Sequence, residues 1–527
     1  MLISFITALL LIILAEGTGQ WISERWYIKI KGFTAPLGLA AMFTVLELLY
    51  LPKMVMHGDV EAVQGSTLLV LLIALFMTIR RYKEVWHALW RPRSIYILLA
   101  SILLLVILYI SGLHMTLLPD TAFRMNQAVL KTHYVSGSTL QGFDLFKGFF
   151  FWMFHGNRNM VSIFLALTVN AISVMLILDI IDSFQIGNPW FRFTLIFMMV
   201  FYSLFYSWKI SVAYDNSIWR PVFIALILFS CYEWLRSEEE SIKYLIIFFI
   251  GAGLFTNKEF YMISVELIYL IGVYLLHIRK VRVLFDLSTF LIPVIAYTSA
   301  WLCRYSVLAG EGLALIYFIF LFARYRKNVY RHMIRIEDFL IDHCWRIFYI
   351  GIPVIFLIGS FILRFFVPGY GIEYSHYIAY FSGKPIRSYL FLDYSVIDII
   401  LDVFRWGGLI VFLIRAHTTE EKLIRSIFLG MVVFFINPLC MGMLSEIVGL
   451  EGYACAFEII FNPFTDIMIF YWIYRQFEWT VIGQWVLELV LVFATLFGNV
   501  CSYLHSPSGL YTDLIDQNVK TEEVEQP

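Results

Sequence analysis

Residues 94–114 read SIYILLASILLLVILYISGLH, twenty-one positions without Asp, Glu, Lys or Arg. Arg91 and Arg93 precede them, and the polar run HMTLLPDTAFRMNQ overlaps their end at His114. About twenty apolar residues in a helix cross about 30 Å of hydrocarbon. No water inside a bilayer can satisfy backbone amides, so such a run must be helical. The stretch therefore reads as one crossing, with a basic entry and a polar exit.

Similar runs recur in both directions. They are read at about 1–19, 33–53, 63–79, 94–114, 159–181, 191–208, 218–235, 242–256, 259–277, 283–303, 306–323, 346–366, 396–414, 424–440, 464–474 and 482–504. The composition agrees: 61% of the 527 residues are hydrophobic and 15% are charged, where soluble domains hold about 25% charged. One water-soluble core could not hide so many apolar runs. The fold class that follows is an all-α integral membrane protein, a polytopic bundle of about 14–16 transmembrane helices. Met1 to Ala15 lacks a basic leader and a small-residue cleavage site, so it reads as the first crossing. A net charge of −1 offers no basic face for nucleic acid.

Lys and Arg set the orientation. They crowd alternate connections: Arg25, Lys29 and Lys31; Arg80 to Arg93; Arg279 to Arg282; Arg324 to Arg335; and Arg415 to Arg425. These connections are expected in the cytoplasm, which puts both termini outside. The chain divides into three leading crossings over 1–93, a core over 94–366, further crossings over 367–504 and an acidic tail over 505–527. Long external loops are expected at 114–158, 367–395 and 440–463.

The first of these loops carries Pro119 and Asp120 as a helix start, followed by an amphipathic pattern. Ala122, Met125 and Val129 share one face, and Arg124, Gln127 and Lys131 the other. An interfacial helix is expected there, with the aromatic segment GFDLFKGFFFWMFHGNR at headgroup level behind it. Asn437-Pro438 and Asn462-Pro463 flank the last loop and read as turns or helix breaks. Cys440 and Cys455 could pair in that loop or stay buried and reduced. Glu47 and Glu266 fall inside crossings, where an ionisable group usually faces a wet cavity or a partner.

Polar groups on the external side are the candidate site. Asp120 and Asp215 are the carboxylates placed to serve as a base; a helix cap and a turn residue are their alternative readings. Arg124, Lys209, Arg220, Lys258, Lys384 and Arg387 are cations that could hold a phosphate, and Glu259 adjoins one of them. Each cation could equally be a snorkelling side chain. Asp144 and Lys147 are spaced to pair with each other. The histidines have no metal-ligand spacing, and no phosphate loop or dinucleotide fingerprint occurs.

The layout resembles the type-C glycosyltransferases. The resemblance rests on HMTLLPDTAFRMNQ after a crossing, on WKISVAYDN (208–216) in a later external turn and on GLFTNKEFY (253–261) opening a further span. FFINPLCMGML (434–444) and FYWIYRQFEW (470–479) are similar to a bacterial multi-pass family of unknown function. Asp120 is followed by Thr121 and Ala122, where type-C enzymes often carry a second acid. The resemblance implies a glycosyltransferase core over 94–366 in a bacterial plasma membrane. It implies a polyprenyl-phosphate-linked sugar donor, an external acceptor and room for a divalent cation, with Asp120 as base. A flippase or a polysaccharide polymerase handling lipid-linked glycans is the alternative.

Overall fold

The computed structural model describes residues 2–28, 32, 34–55, 60–110, 142–200, 218–303, 305–366, 398–435, 453, 455–477 and 480–500. Among these residues there are helices and no strand. The first five helices are α1 (Leu2–Arg25), α2 (Thr34–Val55), α3 (Val60–Arg80), α4 (Tyr82–Leu89) and α5 (Pro92–Ile110). Then come α6 (Gly142–Met153), α7 (Arg158–Ser183), α8 (Pro189–Val200), α9 (Trp219–Ser237), α10 (Lys243–Thr256) and α11 (Phe260–His277). The middle of the chain forms α12 (Val283–Phe290), α13 (Ile292–Cys303), α14 (Val307–Ala323), α15 (Lys327–Asp342) and α16 (Ile352–Phe366). The last four are α17 (Asp398–Ile414), α18 (Thr419–Gly430), α19 (Pro463–Gln476) and α20 (Val481–Ala494). Every apolar run read from the sequence meets one of these helices, or a bent pair of them.

Four helices are long and apolar enough to span a membrane unaided: Leu2–Arg25, Met160–Ser183, Phe260–His277 and Trp345–Leu363. Three bent pairs raise the number to as many as seven by length and composition. One pair, α12 and α13, is bent by 44°. Pro293 lies in the first turn of α13, where its missing amide hydrogen interrupts the helical ladder.

Burial is graded across the bundle. The apolar window of Met160–Ser183 is 94% buried, against 11% for that of Trp345–Leu363. The first is a central post and the second a peripheral one. Peripheral helices present large apolar side chains outward, among them Ile316, Phe318, Phe361 and Phe365. Water would penalise so much exposed apolar surface, whereas lipid would not. At the other extreme, α1 and α2 touch backbone to backbone. A Cβ on Gly19 would lie 1.6 Å from the Thr34 carbonyl oxygen, and one on Gly38 1.8 Å from that of Ala15. Small residues permit that approach, as in packed membrane helices.

Polar contacts mark one end of the bundle. Arg93 at the start of α5 pairs with Asp179 and Asp182 at the end of α7, and Arg192 also binds Asp182. Arg236 donates to the Ser183 carbonyl. Lys243 binds Asp286 at 2.7 Å, and Arg324 donates to the Phe285 carbonyl, Ser288 Oγ and Thr289 Oγ1. Tyr274 near the end of α11 donates to the Thr419 carbonyl. These contacts gather the basic connections at a common end.

Three expectations are revised. The runs around Arg80–Arg93 and Arg324–Arg335 read as connections, yet they contain helices. α4 leaves α3 at 85°, and α15 leaves α14 at 93°. The segment expected at headgroup level forms α6, whose Gly142 to Phe151 are all buried. Its phenylalanines fill the space between α2, α7 and α10: Phe143 and Phe146 meet Phe43 at 5.8 and 5.4 Å, and Phe150 meets Phe164 at 4.3 Å. Hydrocarbon contact inside the bundle replaces hydrocarbon contact with lipid. The amphipathic pattern beginning at Asp120, and Cys440 with its pairing, lie outside the described residues.

Candidate functional site

The end opposite the basic connections holds an array of buried charges. Arg220 sits in the first turn of α9, where Pro221 suits a helix start. Its Nε and Nη2 donate to Glu458 Oε2 and Oε1 at 3.0 and 2.9 Å, a two-pronged pair with both side chains about 6% exposed. Nη1 of Arg220 lies 3.9 Å from Glu259 Oε2, and Lys258 Nζ lies 3.6 Å from Glu259 Oε1. Lys258 is 49% exposed. One cation is therefore locked inside, and a second reaches outward from the same acid.

Local sequence explains each placement. Glu259 opens α11, and the buried Asn257 side chain accepts its backbone amide at 2.8 Å. Glu458 lies in a short 3-10 turn, Ala456–Ile459. Asn462 ends that turn: it donates to the Ile459 carbonyl at 3.0 Å and accepts from the Phe464 and Thr465 amides at 3.1 and 3.3 Å. Pro463 then starts α19. Asn462-Pro463 is thus a helix cap that holds the Glu458 turn, as its break signal suggested.

A second array shares this segment. Arg405 Nε donates to Asp466 Oδ1 at 3.0 Å and Nη1 to Asp402 Oδ1 at 3.2 Å, with the guanidinium 4.0 Å over the Phe461 ring. The sequence reading singled out Glu47 and Glu266 within crossings and missed this trio. The available signal was the Asp402/Arg405 spacing of three within an apolar run, next to an acid in the first turn of a later helix. Asp144 and Lys147 do pair, at 2.7 Å, both almost fully buried.

Glu47 and Glu266 are buried as well. Glu47 Oε2 and both Glu266 carboxylate oxygens have no hydrogen-bond partner among the described residues. Glu47 lies beside the start of α6: a Cβ on Gly142 would come within 2.7 Å of its Oε2. Glu266 lies two helical turns below Glu259 on the same stripe of α11.

Of the residues expected at the site, Arg220, Lys258 and Glu259 come together. Asp120, Arg124, Lys209, Asp215, Lys384 and Arg387 lie outside the described residues. Residues 142 and 218, which open α6 and the turn into α9, both lie at the end that carries the Arg220 array. Trp219 meets Phe43 at 5.5 Å and Phe143 at 5.9 Å, which ties the starts of α6 and α9 together. Among the described residues no group of three or more His, Cys, Asp or Glu is placed to hold a metal ion. No protein-family model, curated protein or solved structure matches this chain.

Proposed function

We propose that this chain is a membrane-embedded glycosyltransferase that moves a sugar from a polyprenyl-phosphate donor to an acceptor on the outer face. In this reading the sixteen apolar runs are crossings, and the end bearing Arg220, Lys258, Glu259 and Glu458 faces outward. The observation that carries the reading is that array of Arg220, Glu458, Glu259 and Lys258 at one end of the bundle.

Departure of a phosphate from a sugar needs a cation at the developing charge and a base at the acceptor hydroxyl. Lys258, half exposed and tethered by Glu259, suits the phosphate. Arg220 spends two of its prongs on Glu458, so it acts here by holding the Glu458 turn against α9 and α11. Asp120 and Asp215, outside the described residues, are the bases this mechanism would use.

The test is transfer of label from polyprenyl-phosphate sugars to membrane-extracted acceptors by purified protein in nanodiscs. Lys258→Ala and Asp120→Asn should each lower turnover at least about 100-fold while the protein stays folded, the scale of one lost transition-state contact. Full activity in both would sink the assignment.

A second reading is favoured by the unpartnered acids. Buried Glu47 and Glu266 would suit transport or flipping of a lipid-linked glycan, in which a carboxyl is occupied and released in turn. Lipid movement across sealed vesicles without covalent change would support it. A change in glycan chain length on loss of the protein would point instead to polymerisation.

A further inference from the structure

We propose that α4 and α15 together form a binding surface for the anionic headgroups of phospholipids at the basic end of the bundle. The inference rests on the membrane reading of the apolar helices and not on glycosyl transfer.

The first observation is direction. α3 and α14 are apolar helices with exposed hydrophobic flanks, and each turns through about a right angle, 85° and 93°, into α4 and α15. If α3 and α14 cross a bilayer, the helices that follow them run along its surface. Both lie at one end. α4 is tied to the end of α1 by the pair between Arg81 and Glu24. α15 is tied to the start of α12 by Glu337, whose carboxylate accepts the amides of Arg282 and Leu284 at 2.7 and 3.2 Å. The start of α12 joins the start of α10 through Lys243 and Asp286.

The second observation is how each surface helix divides its faces. On α15, Glu337 is buried while Tyr330, Met333 and Ile334 are half-buried towards the bundle. Ile336 and Phe339 are exposed, 53% and 56%, although no described helix covers them. Arg331 and Arg335 stand one turn apart, exposed and without an ion pair among the described residues, and the exposed Asp338 and Asp342 continue their stripe beyond them towards the end of α15. On α4, Val85 is the buried contact, whereas Trp86 and Trp90 are exposed as a pair with ring centres 5.6 Å apart. Lys83 and Arg91 are exposed beside them.

Apolar side chains in the acyl boundary with cations at phosphate level is the pattern of a helix lying in the interface. Indole rings prefer that depth. An acidic protein would match the cations but would leave Trp86, Trp90, Ile336 and Phe339 in water. A lipid leaflet satisfies both, since guanidinium groups take phosphate oxygens two at a time. Arg81 contributes nothing here, because Glu24 and Glu84 already hold it.

The experiment uses the full-length protein, delipidated in a neutral detergent, with phosphatidylglycerol or phosphatidylcholine added and bound lipid counted by native mass spectrometry. Phosphatidylglycerol should bind preferentially, and the preference should shrink as salt rises. The pair R331Q/R335Q and the pair K83Q/R91Q should each reduce it, and the four together by about tenfold. R331K/R335K should keep most of it, which separates charge from loss of the helix. Inorganic phosphate should not compete at millimolar concentration; full competition would make the site one for free anions. Equal binding of the two lipids, or an unchanged preference in both neutral pairs, would overturn the proposal.

Discussion

Arg220 shows how one residue type can carry two meanings. Its position at the start of an external helix suggests a phosphate ligand, yet the side chain is spent on Glu458 in a dry, two-pronged pair. Removing Glu458 takes away the two-pronged partner of a buried guanidinium and leaves it the longer contact with Glu259, so Glu458→Ala should destabilise the protein by up to about 3–5 kcal/mol. Arg220→Met with Glu458→Leu should recover much of that loss, because no charge is then stranded. Thermal unfolding in detergent measures both, and a larger loss in the double variant than in the single would refute this account. Gly142 gives a second contrast at the same scale. A methyl there would press on Glu47 Oε2 and the Phe255 ring at 2.7 Å. Gly142→Ala should therefore cost about 1–3 kcal/mol. Gly65 sits in α3 with nothing within 4 Å of an added Cβ. Gly65→Ala should stabilise by about 0.5–1 kcal/mol through the helix backbone alone. A wild-type melting temperature in Gly142→Ala would remove the close approach of Glu47 to Gly142.

Element boundaries were the most legible part of the sequence. Apolar length alone locates α5, α7, α11 and α14 within a few residues, because a helix is the only form that satisfies their amides in lipid. Direction was less legible. The cations of 80–93 and 324–335 mark a connection, and the few apolar residues among and just after them, Val85, Ile334, Ile336 and Phe339, are too sparse to mark a helix by apolar length. α6 was misplaced for a related reason. Phenylalanines suit lipid, interface or interior alike, and only contacts with Phe43 and Phe164 from other helices decide among them. The site was legible for Arg220, Lys258 and Glu259 as a set of polar residues at one end. Its pairing with Glu458 was not, since 238 residues separate the partners. At the start of α18 the sequence does carry its own instruction. Thr418 accepts the Glu421 amide at 3.3 Å, and Glu421 reaches back to the Thr418 amide at 3.3 Å, a reciprocal cap. Thr418→Ala should lower stability by about 1 kcal/mol, and Thr418→Ser should restore most of it. Equal melting for Ala and Ser would mean that the cap contributes little where Glu421 also accepts from His417.

The whole molecule is constrained by where its two ends emerge. α1 finishes at Arg25, beside the pair of Arg81 with Glu24, which belongs to the basic end. Leu2 therefore lies at the opposite end. α19 runs from the Glu458 turn towards that basic end. There Tyr474 stacks on Phe191 at 3.7 Å and accepts from Asn188 Nδ2 at 2.7 Å. α20 starts four residues after Phe477 and continues through a π-turn, Thr495–Val500. It returns along the bundle, so residue 500 also approaches the end that holds Arg220. Tags fused to the two termini should then be cleaved by protease from one side of sealed membranes, and a site inserted beside Lys327 only from the other. On the reading in which crossings alternate, cleavage of the two tags from opposite sides would require an odd number of them. The Arg220 array would then no longer share a face with both termini, and the sixteen-crossing reading would fall with that arrangement. Cleavage of both tags from the outer side would put Lys258 on the face where a lipid-linked sugar and an external acceptor can meet. It would also put α4 and α15 against the inner leaflet, where anionic headgroups are most abundant.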